Sequence, residues 1–198
     1  MSEILDSGNR RQFNSGAVRD IAQGKGRMDL VPLDVVSDFY KYTADDHYLK
    51  PDDSFDISLA FDELYTFMNT GDVICIYETL WSFISTYYKS IESAILDVSI
   101  HYEQGAEKYE ERNWEKGIPC HCYVDSGCRH LLKFINGDKD EPHDRAFVWN
   151  LLGLLWTVKH KSKFNDLPYN KDRNPTGLNR EQFCQYIIHN MNEGRNRN

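Results

Sequence analysis

The sequence predicts an all-α protein, a helical bundle, from two observations. Apolar residues recur every three or four positions from Tyr77 to Tyr109, which is the period of a helix packed on one face. Residues 146–158, AFVWNLLGLLWTV, are apolar nearly all round and predict a helix at the centre of the bundle. No segment alternates apolar and polar residues convincingly, so no strand is predicted. A chain of 198 residues suits a single domain.

Residues 1–35 form a basic, glycine-containing segment that begins the chain. Three glycines are interleaved with three cations: Gly16, Gly24 and Gly26 with Arg19, Lys25 and Arg27. Such a loop can wrap a phosphate, although the P-loop pattern is absent. A plain solvated loop is the alternative, since Asp20 and Asp29 partly neutralise the cations.

The bundle is predicted to have its core in helices near 91–112, 122–136 and 142–159. The pattern that starts at Val73 indicates either one very long helix or two helices with a break near Tyr88–Ser90. Asn136-Gly137 ends the second core helix, and Pro142 suits the first turn of the third. The segment 161–198 is polar, with one short helix predicted around 181–191.

Composition excludes several classes of function. The net charge of −8 argues against binding to a nucleic-acid backbone, which needs a basic surface. No window approaches the ~18 apolar residues of a membrane span, so we expect a cytoplasmic protein. The five cysteines lack the spacing of a disulfide framework and are expected to be reduced. Cys120-His121-Cys122 with Cys128 and His130 weakly resembles a zinc site, but its first pair is too closely spaced.

The segment His101–Gly117 carries the densest set of candidate functional residues. Glu103 and Glu107 lie four positions apart, so both can reach one face of a helix and hold a hard cation. A group of hydrogen-bonding and cationic residues follows, suited to phosphates: Lys108, Arg112, Asn113, Trp114 and Lys116. A solvated, charged helix end is the alternative interpretation.

Two further helices present polar groups beside their apolar stripes. Asp125, Arg129 and His130 lie on the second core helix, and His143 and Asn150 lie two turns apart on the third. Polar groups at the stripe edges of three helices suggest a shared site in the bundle, where such folds hold metals and ligands. The alternatives are hydrogen-bonded networks that only fix the packing, and a nucleotide-sensing pocket without turnover.

Four blocks of the sequence together resemble the dATP/dGTP diphosphohydrolase family, which includes phage enzymes and is related to the MazG-like all-α pyrophosphatases. The blocks are SGAVRDIAQGKGRMDLVP, HYEQGAEKYEERNWEKGIP, DSGCRHLLKFINGDKDEPH and AFVWNLLGLL, within residues 13–32 and 97–158. The resemblance implies hydrolysis of purine deoxynucleoside triphosphates to the monophosphate and pyrophosphate, with Mg²⁺ or Mn²⁺. Relative to the compact family pattern, the resemblance further implies a helical insertion at residues 40–90 and catalytic helices at 91–160.

Taken with the local patterns, the resemblance implies three sets of site residues. The expected catalytic residues are Glu103, Lys108, Arg112, Arg129 and His130. The expected substrate-binding residues are Arg19, Lys25, Arg27, Asn113, Trp114, Lys116 and Asn150. The expected metal ligands are Glu103, Glu107, Asp125, His130 and His143.

One departure from the wider superfamily affects the expected metal. The second acidic motif of MazG-like enzymes is replaced by His143-Asp144-Arg145-Ala146, and imidazole ligands favour Mn²⁺ or another transition metal. The same His143-Asp144 pair leaves an HD-type metal phosphohydrolase as an alternative, with His101, His121 or His130 upstream and Asp166 or Asp172 downstream. A nucleotide-binding protein without turnover is the other alternative. We further expect a homo-oligomer, located in the host cytoplasm if a phage encodes it.

Overall fold

The computed structural model describes residues 8–21, 23–44 and 55–169, and this part is mostly helical. The helices are α1 Leu33–Ala44, α2 Ile57–Thr70, α3 Ile74–Tyr87, α4 Ile91–Lys108, α5 Cys120–Asn136 and α6 His143–His160. Short 3₁₀ turns lie at Met28–Leu30, Asn113–Lys116 and Ser162–Phe164. The prediction of an all-α fold is confirmed. The helix predicted at 181–191 and Cys184 lie outside the described residues.

A small antiparallel hairpin precedes the helices, and the sequence did not predict it. Strands β1 (Arg10–Gln12) and β2 (Val18–Asp20) pair in the register Arg11 opposite Arg19. Gly16, with φ of 83°, allows the tight turn between them. Strands of three mostly exposed residues are too short to show an alternating pattern, so periodicity could not reveal them.

The long periodic segment forms two helices, α3 and α4. This confirms the predicted alternative of two helices with a break near Tyr88–Ser90. Ser90 and Ser93 form a reciprocal capping box at the start of α4: each side-chain oxygen accepts a hydrogen bond from the other residue's backbone N–H. This cap satisfies N–H groups that have no partner within the helix, and so stabilises a new helix start.

Helix α6 is the central element, as predicted. Most of its residues are buried, and it packs against α1, α3, α4 and α5. Gly153 allows the close approach of α5, because a Cβ there would lie 2.5 Å from the ring of Tyr123. Arg145 joins α6 to α4 through two hydrogen bonds to Asp97, at 2.6 and 3.0 Å.

The turn between α5 and α6 determines which residues of the two helices meet. Gly137 adopts φ of 84°, and the N–H groups of Gly137 and Asp138 bond back to the last turn of α5. Pro142 then precedes the first residue of α6. This short reversal brings the C-terminal half of α5 against the N-terminal turn of α6.

Among the described residues, no helix is long and apolar enough to cross a membrane.

Candidate functional site

A cavity of about 450 Å³ lies among α4, the 3₁₀ turn at 113–116, α5 and α6. We call it the central cavity. One end is apolar and aromatic, and the other end is polar. Cations lie along its rim. A cavity of this size and composition suits a small organic ligand that carries charge at one end.

The aromatic end is formed by Tyr102, Trp114 and Trp149, with Leu30 and Ile118. The Trp114 ring lies edge-on to Tyr102, with centroids 5.7 Å apart. Tyr102 and Trp114 are buried, yet neither the hydroxyl of Tyr102 nor the indole N–H of Trp114 has a hydrogen-bond partner in the structure. Buried polar groups are nearly always hydrogen-bonded, so these two are exceptions among the residues that line the cavity.

The polar end contains His130, Glu141 and His143, which we call the histidine cluster. The Nδ1 atoms of His130 and His143 are 3.0 Å apart. The Oε1 atom of Glu141 lies 3.4 Å from Nδ1 of His130 and 3.5 Å from Nδ1 of His143. His130 and Glu141 line the central cavity, whereas the His143 side chain is almost fully buried behind them. Three possible ligand atoms thus converge on one point, a group that could hold a metal ion.

Asp140 supports the histidine cluster from outside. One carboxylate oxygen of Asp140 lies 2.7 Å from Nε2 of His143, and the other accepts a hydrogen bond from Lys133 at 2.8 Å. These two contacts lower the pKa of Asp140 to about 2, chiefly through Lys133 and then through His143. The carboxylate therefore stays charged and keeps the N–H of the His143 ring on Nε2.

Burial controls the protonation of the two histidines that face the central cavity. Desolvation lowers the pKa of His130, and the neighbouring His143 lowers it further, while Glu141 opposes the shift. Desolvation lowers the pKa of His101 to about 4, with Arg145 and His130 acting in the same direction. Both rings are consequently neutral near pH 7 and can accept a proton, a hydrogen bond or a metal.

The rim of the central cavity carries Lys108 and Arg112. Arg112 has φ of 56°, and among the described residues it is the one non-glycine in the left-handed region. Its guanidinium donates to the backbone oxygen of Asp29 and pairs with Glu115. Such backbone strain persists where the surrounding contacts hold it, and it is concentrated at functional sites.

The opposite side of α4 faces the N-terminal segment. The two carboxylate oxygens of Glu103 accept hydrogen bonds from the backbone N–H groups of Gly24 and Gly26, each at 3.0 Å. Gly26 has φ of 80°, and a Cβ there would lie 1.9 Å from Oγ of Ser99. Glu103 therefore anchors the glycine loop against α4.

A second cleft, of about 490 Å³, lies beside this loop, and we call it the hairpin cleft. Its charged lining residues are Arg11, Arg19, Asp20, Lys25, Arg27, Asp29 and Glu111. Arg27 pairs with Asp29 and with Glu111, both at 2.7 Å. These contacts hold the pKa of Arg27 well above its usual range.

The structure divides the predicted site residues among three places. The central cavity is lined by Lys108, Arg112, Asn113, Trp114, His130 and Asn150, with His143 behind its wall. The hairpin cleft takes Arg19, Lys25 and Arg27, and a shallow depression next to it takes Glu103 and Glu107. Three residues line none of these: Asp125 and Arg129 pair with each other on the exposed face of α5, and Lys116 pairs with Glu110.

The five predicted metal ligands therefore do not form one group. Within the described ranges, the groups whose ligand atoms converge are His130–Glu141–His143 and Asp138–Asp140–His143. Glu103 and Glu107 belong to neither group. His101 and Gly105 face the central cavity, and each glutamate lies two positions from one of them. Residues two positions apart on a helix point to nearly opposite sides, so both glutamates face away from the cavity. None of the described cysteines belongs to such a group either, and Cys120, Cys122 and Cys128 are free thiols.

The position of Asn150 is consistent with both interpretations from the sequence, a hydrogen-bonded residue that fixes the packing and a residue of the site. It is buried and its Nδ2 donates to the backbone oxygen of Ala146 at 2.8 Å, but it also lines the central cavity. Asp144, the second residue of the HD pair, is in neither metal-type group and instead contacts the hydroxyl of Tyr88. His121 pairs with Asp166 on the surface, apart from the histidine cluster.

Sequence reasoning missed Glu141 and Asp140 as site residues. The signal was present in Asp140-Glu141-Pro142-His143, where two carboxylates stand just before a histidine at a helix start. Trp149 was also missed, because a tryptophan in an apolar helix is usually a core residue. Its neighbours show that it is both, since it lines the central cavity and lies 5.5 Å from the ring of His101.

Comparison with known proteins supports the resemblance stated above. Residues 84–167 match the family model described as dATP/dGTP diphosphohydrolase, N-terminal. The match spans α4, α5 and α6, which form most of the central cavity, and it confirms the family resemblance. The block at 13–32 lies outside the matched residues. Neither the curated proteins nor the solved structures gave a match.

Proposed function

We propose that this chain, whose residues 84–167 match the model of the dATP/dGTP diphosphohydrolase family, hydrolyses purine deoxynucleoside triphosphates in the central cavity. The products are the nucleoside monophosphate and pyrophosphate. The observation that carries the proposal is the cavity itself, because the matched helices place an aromatic end, a cationic rim and a group of metal-type ligands around one space.

The aromatic end suits the nucleobase. Aromatic rings offer flat, apolar surfaces against which a base can stack, at roughly 1–3 kcal/mol per base in nucleic-acid binding proteins. Asn113 and Asn150 add amide groups at the same cavity.

The rim and the polar end suit the phosphates. Lys108 and Arg112 are placed to neutralise the charge that builds on the leaving pyrophosphate. Arg19, Lys25 and Arg27 stay proposed phosphate ligands, although they line the hairpin cleft on the other side of α4. Lys116, Asp125, Arg129, Glu103 and Glu107 do not line the central cavity, although Lys116 pairs with Glu110 of its lining. Their roles in catalysis, substrate binding and metal binding stay predictions.

A divalent cation, Mg²⁺ or Mn²⁺ by the resemblance, is part of the proposal. The donor set fits one, since two imidazole nitrogens and a carboxylate oxygen converge within 4.8 Å of one another. His130, Glu141 and His143 would hold it. When bound, a cation of this kind polarises a phosphoryl oxygen and lowers the pKa of water. Asp140 keeps His143 oriented for that role.

The test is to incubate the protein with each dNTP and NTP, with Mg²⁺ and then with Mn²⁺, and to identify the products. We expect monophosphate and pyrophosphate, with purine deoxynucleotides preferred. Tripolyphosphate and free nucleoside, or free phosphate, would assign the protein to the HD-type alternative. Tight nucleotide binding without turnover would assign it to the non-catalytic alternative.

A matched pair of variants locates the reaction. Lys108 lines the central cavity, whereas Lys116 does not line it and its charge is paired with Glu110, a residue of the cavity lining. We expect Lys108→Gln to lower the turnover number by at least tenfold, and Lys116→Gln to leave it within about twofold, since one lost charge-assisted contact is worth ~1.5–3 kcal/mol. Equal losses in both variants would contradict the assignment of the reaction to the central cavity.

A homo-oligomer remains part of the proposal and is tested by light scattering.

A further inference from the structure

The donor atoms of the histidine cluster have the spacing of ligands around one transition-metal ion. Their separations are 3.0, 3.4 and 3.5 Å between the two Nδ1 atoms and Oε1 of Glu141. Metal–ligand bonds of about 2.0–2.2 Å place neighbouring ligands of a tetrahedral or octahedral ion about 3.0–3.5 Å apart. All three separations fall in that range, so the side chains need little movement to hold an ion.

The surroundings of His143 match those of a metal-bound histidine. Asp140 lies 2.7 Å from Nε2 of His143, so that nitrogen carries the ring proton and Nδ1 presents its lone pair towards His130 and Glu141. A carboxylate on the second nitrogen of a ligating histidine orients the ring and makes it a stronger ligand. Lys133 holds the other oxygen of Asp140, which fixes the carboxylate in turn.

We propose that the histidine cluster is a two-histidine, one-carboxylate site that binds Mn²⁺, Co²⁺ or Zn²⁺ in preference to Mg²⁺. Mg²⁺ favours an octahedral set of oxygen ligands and retains water, whereas imidazole nitrogens favour later first-row ions. His130 and Glu141 line the central cavity, so an ion held by them would border the space where the phosphates are proposed to lie. The inference deepens the proposed function by naming its metal and is tested without turnover.

The experiment uses the full chain after treatment with a chelator. Co²⁺ is titrated while the visible absorption of the ion is recorded, and Mn²⁺, Zn²⁺ and Mg²⁺ are titrated in a calorimeter. We expect one Co²⁺ per chain with the absorption of a nitrogen-ligated ion, displaced by Zn²⁺ but not by a hundredfold excess of Mg²⁺. Glu141→Gln and His143→Asn should each weaken Co²⁺ binding by at least tenfold.

Two control variants make the assignment specific. Asp138→Asn removes a ligand of the other metal-type group, Asp138–Asp140–His143, without changing the histidine cluster. His121→Asn removes a histidine that pairs with a carboxylate, Asp166, and lies 3.3 Å from Sγ of Cys122, but belongs to neither metal-type group. Both should bind Co²⁺ like the unaltered protein. Because His143 is buried, circular dichroism checks its variant for folding, and Glu141→Gln, at an exposed side chain, gives the same test without that risk.

Specific results would overturn the inference. These are no nitrogen-ligated Co²⁺ spectrum, binding unchanged in Glu141→Gln, or displacement of Co²⁺ by equimolar Mg²⁺. A loss in Asp138→Asn and His143→Asn, with Glu141→Gln unaffected, would assign the ion to the Asp138–Asp140–His143 group instead. The proposed function fails separately. Turnover with Mg²⁺ in a protein that binds no Co²⁺ would leave the function standing, and Co²⁺ binding without turnover would leave only the metal site.

Discussion

The two sides of helix α4 both carry polar and charged residues but use them differently. On one side, His101 and Lys108 face the central cavity, which also contains buried polar groups without partners. On the other side, Glu103 uses both carboxylate oxygens to hold the backbone of Gly24 and Gly26. A carboxylate whose lone pairs are already bonded in the fold is less available to a metal than one at a cavity wall, such as Glu141.

The charges next to Glu103 are also largely paired within the fold. Arg27 pairs with Asp29 and Glu111, and Lys25 lies 3.7 Å from Asp20. At the central cavity, by contrast, three possible metal ligands point at one another. The side of α4 that faces the N-terminal segment therefore serves mainly to hold the glycine loop. The side that faces the central cavity is arranged for a ligand.

The largest expected effect comes from exchanging one carboxylate on each side. Glu141→Gln should lower the turnover number by about a hundredfold or more, because loss of a metal ligand exceeds the ~10–100-fold cost typical of a supporting residue. Glu107→Gln, on the other side, should leave turnover within about threefold. Both side chains are at least partly exposed, so the melting temperature should change little in either variant. The reverse pattern would show that the acidic pair of α4 holds the metal.

The next effect concerns the anchor of the glycine loop. In Glu103→Gln, the amide oxygen can still accept one hydrogen bond, without the charge. The amide nitrogen cannot accept the second, so one of the two N–H groups of Gly24 and Gly26 loses its partner. We expect a local cost of ~1–3 kcal/mol, seen as faster hydrogen exchange at the amides of Gly24 and Gly26. Turnover should fall less than in Glu141→Gln. Unchanged exchange at these amides would refute the anchoring role.

The sequence predicted the helices better than the contacts between distant residues, and the reason is physical. Helix periodicity and stop signals predicted α4, α5 and α6, because a buried stripe and a glycine or proline end are local properties. Spacing on one helix also indicated that Glu103 and Glu107 could act together. It could not reveal that Glu103 bonds to Gly24 and Gly26, since that contact joins residues 77 and 79 positions apart.

The histidine cluster shows the same limit at shorter range. His130 and His143 were both predicted as metal ligands, but 13 positions separate them, and only the tight turn at Gly137 brings their rings together. Glu141 lies in that turn, where a helical pattern assigns no facing side. Arg11 was missed because the hairpin that places it opposite Arg19 is too short to predict.

A smaller effect is expected from pH, through His101 at the central cavity. Burial lowers its pKa to about 4 in the folded protein, against 6.5 for an ordinary histidine. The unfolded chain therefore binds the proton first, and the free energy of unfolding falls as the pH falls from about 6.5 to 4. Above pH 6.5 His101 adds no pH dependence. Urea unfolding at pH 7.5, 6 and 5 should show this slope, and His101→Gln should reduce it, leaving the part due to His130. An unchanged slope would assign the pH dependence to other groups.

The smallest effect on stability is expected at Asn150, which lies between core and cavity. Its Nδ2 donates to the backbone oxygen of Ala146, and that oxygen also lies four residues before the N–H of Asn150 within α6. Asn150→Leu therefore leaves the Ala146 oxygen with its helical partner, and an apolar side chain of similar size should cost less than ~1 kcal/mol. That corresponds to about 2–4 °C in melting temperature for a domain of this size. The turnover number should nevertheless fall about three- to tenfold, because the central cavity loses an amide that can bond to the substrate. A drop of more than about 6 °C with unchanged turnover would instead make Asn150 a structural core amide, and the cavity would lose one of its proposed contacts to the nucleotide.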